Sequence, residues 1–225
     1  MARNSFLIII LIISASCIGS TNKVNKLITE QKGSFGSGST IENFLDFFPE
    51  KTNEKNAFFN VSPPACPPKY SCNAQYGDIY LNLSLEKNLD IYNDLLNKQV
   101  LYKTQYNDQN IIINLYEIKD SIFKTAKCNK FYRDKFPIPH FEDYDFGLGC
   151  KTEKKTIEGE IFFKYTYSVP SDLCVFVLKS NSGDFWKYKC DEIRPESLKD
   201  WRHGYSKGFA ISKTNNMIIY WAMIW

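Results

Sequence analysis

The chain has 225 residues, with 28 Lys and Arg against 25 Asp and Glu, a formal net charge of +3. Hydrophobic residues at 44% and aromatics at 16% are ample for a real core. Arg3, Lys23, Lys26 and Lys32 against Glu30 account for the whole surplus, so everything from Thr40 onward is neutral. A nucleic-acid binder needs a basic field to recruit phosphates, so that class is excluded.

The first element is a leader. Arg3 supplies positive charge, Phe6 to Ile13 is unbroken and apolar, and Ser14-Ala15-Ser16 gives the small residues a signal peptidase needs. Residues 1–16 therefore read as a secretory signal peptide. A membrane-spanning helix needs ~20 apolar residues, and this run turns small and polar too soon.

Cys17 follows directly. Small residues before a cysteine resemble the lipobox of bacterial lipoproteins, although Ser14 stands where that pattern usually has Leu. The resemblance covers the leader alone. It implies that Cys17 is lipidated, that the chain is anchored to a membrane surface, and that it resides in the cell envelope. Parity agrees. Setting Cys17 aside from the seven cysteines leaves six, an even set that reads as three disulfides in an exported chain. From residue 18 to Ser39 the chain is rich in Gly, Ser, Asn, Thr and Lys. Such a segment buries too little to repay its ordering, so 17–39 is expected to be a flexible tether. Its mild positive charge suits anionic headgroups. A freely secreted glycoprotein is the other reading. Asn60-Val61-Ser62 and Asn82-Leu83-Ser84 fit the glycosylation acceptor, which would put Asn60 and Asn82 in surface loops of a eukaryotic protein.

Residues 40–225 fit a single globular domain. Ser39-Thr40-Ile41-Glu42 matches a capping box, and Ile41, Phe44, Leu45 and Phe48 at helical spacing predict a short helix ended by Pro49. The proline-rich segment from Ser62 to Cys72 predicts a loop closed by Cys66 and Cys72. Asp78 to Leu85 alternates as a strand, and Asn88 to Lys98 follows as a helix. Strands at Val100–Tyr106 and Ile111–Ile118 flank Asn107 to Asn110, a hairpin signal. An antiparallel meander is expected from Ile157–Val169, Leu173–Lys179 and Phe185–Cys190. Its second hairpin would set Cys174 against Cys190, leaving Cys128 for Cys150. Phe209–Ser212 and Met217–Trp225 predict a closing hairpin, its last strand apolar on both faces and so central. The fold expected is α+β, mainly antiparallel sheet with one or two short helices, stapled by disulfides, with a β-sandwich as the alternative.

Chemistry has few places to reside. His140 opens His140-Phe141-Glu142-Asp143-Tyr144-Asp145, whose carboxylates and imidazole could serve as acid and base. His203 lies near Asp200 and Ser206, residue types of a hydrolase triad without its sequence signatures. Trp186 and Trp201 are candidates for gripping a protein or carbohydrate partner, whereas Trp221 and Trp225 are expected in the core. No metal or cofactor signature occurs. The expected function is an exported, membrane-tethered binding or structural domain. An exported hydrolase using His203 or the His140 loop is the alternative.

Overall fold

A computed structural model describes residues 25–30, 32–33, 39–54, 58–62, 77–107, 112–114, 136–157, 160–185 and 204–224. These residues form mainly antiparallel sheet with few short helices. A helical segment at 25–30 (α1) comes first. It is followed by β1 (Phe58–Ser62), β2 (Gly77–Ser84), α2 (Leu89–Leu96), β3 (Tyr102–Gln105), β4 (Ile112–Asn114) and β5 (Phe136–Ile138). Then come β6 (Cys150–Ile157), β7 (Glu160–Tyr167), β8 (Cys174–Ser182), β9 (Gly204–Ser212) and β10 (Met217–Ile224). One sheet has six strands in the order β1-β2-β10-β9-β8-β3. β4 pairs in parallel with β5, and β6 pairs antiparallel with β7.

The sequence of β10 explains its place. A run that is apolar at every position fits only where both faces are covered. β10 accordingly lies between β2 and β9, buried from Ile218 to Ile224. Alternate residues feed two cores. Ile218, Tyr220, Ala222 and Ile224 face one side with Leu81 and Phe209, beneath Ile28, Phe44, Phe48 and Leu95. Ile219, Trp221 and Met223 face the other with Tyr80 and Val177, beneath Phe141, Tyr144 and Phe146. Trp221 is core, as expected; Trp225 lies outside the described residues.

Several expectations are corrected. Ile28 on α1 is 1% exposed and belongs to the first core, so the packed body reaches back well before Thr40 into the segment read as tether. Residues 42–47 form successive turns instead of a helix. Asn43 adopts φ +54, and the bonds from Asp46 N to Asn43 O and from Phe48 N to Leu45 O span three residues. Phe44, Leu45 and Phe48 nevertheless point inward, as their spacing requires.

Among the described residues the two strands expected about Asn107 to Asn110 do not pair with each other: β3 pairs with β8 and β4 with β5, while 108–111 and 115–118 lie outside them. Nor do the described strands of the expected meander pair in sequence: β7 folds back on β6, and β8 takes β9 and β3 as neighbours, while 186–190 of the expected third strand lie outside the described residues. Gly204 and Gly208 both lie within β9.

Candidate functional site

Among the catalytic candidates of the sequence, the acidic loop after β5 is the one whose geometry the structure describes. His140 precedes a 3-10 turn, Phe141–Asp143. Phe141 and Tyr144 are driven into the second core, which holds the loop down. Tyr144 stacks on Tyr80 with ring centroids 3.8 Å apart, and its hydroxyl donates to Asp78 Oδ2 at 3.0 Å. With these aromatics inward, His140 Nε2 comes within 3.3 Å of Glu142 Oε2. The Tyr106 hydroxyl donates to the same carboxylate oxygen. Glu142 thus joins an imidazole to a phenol at a half-buried site. Such a carboxylate can hold the imidazole in one orientation and share a proton with it. Asp145 serves the turn instead, accepting from Gly147 N at 2.8 Å. Among the described residues, no three metal-ligating side chains converge. Tyr106 carried no local signal, since it lies 36 residues from Glu142 and meets it only through the fold.

The second face of the sheet has a further polar feature. Strand register sets Asp78, Met223, Ser206 and Ser180 in one row across β2, β10, β9 and β8. Ser180 Oγ, Ser206 Oγ, Trp221 Nε1 and Asn82 Oδ1 are buried without hydrogen-bond partners. The register places all four on this face. Each such atom costs about 1–3 kcal/mol when left unpaired.

On the first face, two lysines hold the turns that cover the core. Lys207 Nζ donates to Phe44 O at 2.8 Å and lies 5.4 Å and 5.2 Å from the ring centroids of Phe44 and Phe47. Lys32 Nζ donates to Phe48 O at 3.0 Å. Burial lowers the pKa of both ammonium groups; Lys179 lowers Lys207 further, while Asp46 opposes the shift in each. A cleft of about 450 Å³ lies between Lys32 and the turns from Ser39 to Asp46. Its lining carries both signs of charge, Lys32 against Glu42 and Asp46, and so selects no one class of ligand.

The remaining candidates are scattered. Among the described residues Cys150 and Cys174 form no disulfide; Cys150 is exposed, and Cys174 is half-buried, with burial pushing its thiol pKa up. The return strand expected to set Cys190 against Cys174 lies outside the described residues from 186 on. Ile211 lies opposite Cys174 on one side and Gln105 on the other. Asn60 and Asn82 lie in β1 and β2, not in loops, and Asn82 sits between Phe58 and Ile219. A glycan needs an exposed amide, and the carboxamide oxygen of Asn82 is buried. Cys17, Cys66, Cys72, Cys128, Cys190, Trp186, Asp200, Trp201 and His203 lie outside the described residues. No family model, curated protein or solved structure matches the chain.

Proposed function

We propose that this chain is an exported lipoprotein, joined to a membrane through Cys17, whose folded body is a binding or structural module. The observation that carries this reading is Cys17 placed immediately after Ser14-Ala15-Ser16 and an unbroken apolar run. The six other cysteines are an even set, as three disulfides require. Cys66–Cys72, Cys128–Cys150 and Cys174–Cys190 are the proposed pairs. With them the body is a stapled α+β domain.

Intact mass of the full chain expressed in a bacterial host, with and without reduction, tests the proposal. The expected product begins at Cys17, carries acyl mass, and gains the hydrogens of three disulfides on reduction. An unmodified product cut elsewhere removes the anchor and leaves simple secretion.

A second reading, an exported hydrolase, draws on the Glu142 bridge between His140 and Tyr106. It retains Asp200 with His203 as its other candidate pair. Hydrolysis of an activated ester, lost in His140→Ala or His203→Ala with the melting temperature unchanged, would favour the enzyme. Equal rates for all three proteins would remove it.

A further inference from the structure

Among the described residues, β6 and β7 pair only with each other. Two glycines in the left-handed region, Gly147 and Gly149, lead into this hairpin, and Ser168 N closes its root on Gly149 O at 2.9 Å. The register sets Thr152, Lys154 and Thr156 on one face with Tyr165, Phe163 and Ile161. On that face Ile161 is 54% exposed, Phe163 56% and Tyr165 51%. A two-stranded hairpin is marginal in water by itself, and three large apolar side chains left in water add nothing to hold it. This face is built to be covered.

Charge and area indicate by what. Among its described side chains, Lys154 is the one ionic group, while Lys151 and Glu153 fall on the opposite face. Two copies packed face to face would set Lys154 against a surface without a carboxylate. The three side chains also offer too little for a folded partner. At about half exposure, with 150–250 Å² buried for a large aromatic, they supply roughly 300 Å². A stable protein interface takes about 800 Å² from each side. A lipid interface sets no such threshold. Apolar groups enter the headgroup–acyl boundary singly, tyrosine suits that boundary, and a lysine snorkels to the phosphates.

We propose that this face of the hairpin seats on an anionic membrane surface, with Ile161, Phe163 and Tyr165 in the interfacial layer and Lys154 on headgroup phosphate. The inference deepens the membrane reading of Cys17 and fails separately from it. Seven residues, 18–24, separate Cys17 from α1. Fully extended, they span at most about 25 Å. An anchored body therefore stays close to the bilayer, where a weak second contact acts at high local concentration.

The test uses the mature full chain carrying Cys17→Ser, so that no acyl group contributes. It is sedimented with vesicles of phosphatidylcholine alone, or of phosphatidylcholine mixed with phosphatidylglycerol. Binding is expected to the anionic vesicles and to fall with added salt. Phe163→Ser should weaken it about tenfold. Lys154→Glu should weaken it severalfold, and both variants should keep the parent melting temperature. Absence of vesicle binding overturns the proposal whatever the mass of Cys17 shows. So does equal binding by parent and variants. A parent that sediments as a dimer, with Phe163→Ser monomeric and neither protein on vesicles, assigns the face to self-association instead.

Discussion

Gly208 shows how one missing side chain shapes the sheet. β8 carries a bulge between Val177 and Lys179, opposite Gly208, and there the Phe176 carbonyl and the Trp221 ring crowd the glycine. A Cβ at this position would stand 2.0 Å from Phe176 O and 2.7 Å from Trp221 Cζ2. The first neighbour is backbone and cannot rotate away. Gly208→Ala should therefore cost about 2–3 kcal/mol, read as a lowered midpoint in urea at unchanged slope. Asp172 acts through charge. Its carboxylate accepts from Ser212 Oγ at 2.5 Å and Thr214 N at 2.9 Å, which lowers its pKa from 3.8 to about 2. The folded state thus favours the charged form. That stability is complete above the ordinary carboxylate pKa and is lost as pH falls through about 2. Asp172→Asn should lower the melting temperature at neutral pH. The gap from wild type should close as the pH of the melt falls from 3.8 to about 2.

Between elements, a buried polar knot ties the 52–54 segment to the junction of β2 and α2. Asn88, 0% exposed, donates to Ser84 O at 2.8 Å and to Glu54 Oε1 at 3.2 Å, and accepts from Thr52 Oγ1 at 3.1 Å. Glu54 also takes the backbone N–H of Ser84. Asn88→Ala strands several of these groups at once. We expect a loss of about 2–3 kcal/mol, with faster amide exchange in α2. Nothing local marked Asn88 for this role. What could be read locally was the apolar pattern. It placed β2, α2 and β10, and it found the inward residues Phe44, Leu45 and Phe48 even where the backbone turns instead of coiling. Pairing could not be read, because Asn107 to Asn110 and Asn181 to Asp184 carry turn chemistry without naming the strand that follows. β3 reaches β8 from about 70 residues upstream and β9 from beyond a long intervening segment, where no dipeptide rule operates. The same limit applies at the His140 loop: its residues were visible as a cluster, whereas Tyr106 and Asp78 join them only through the fold.

At the scale of the whole molecule, β2, β8, β9 and β10 each feed both cores, and β10 lies between β2 and β9. It is also the last of the ten described strands to leave the ribosome. Until Met217 and the residues after it are made, β2 and β9 have no partner between them, and neither core has its middle layer. A chain stopped before Met217 should show no cooperative unfolding by circular dichroism and rapid exchange of the β2 amides. Sheets that wait for contacts so distant along the chain form slowly. Under the proposed export that delay is useful, because a sheet that stays open until β10 has been made leaves the chain before it unfolded for passage across a membrane.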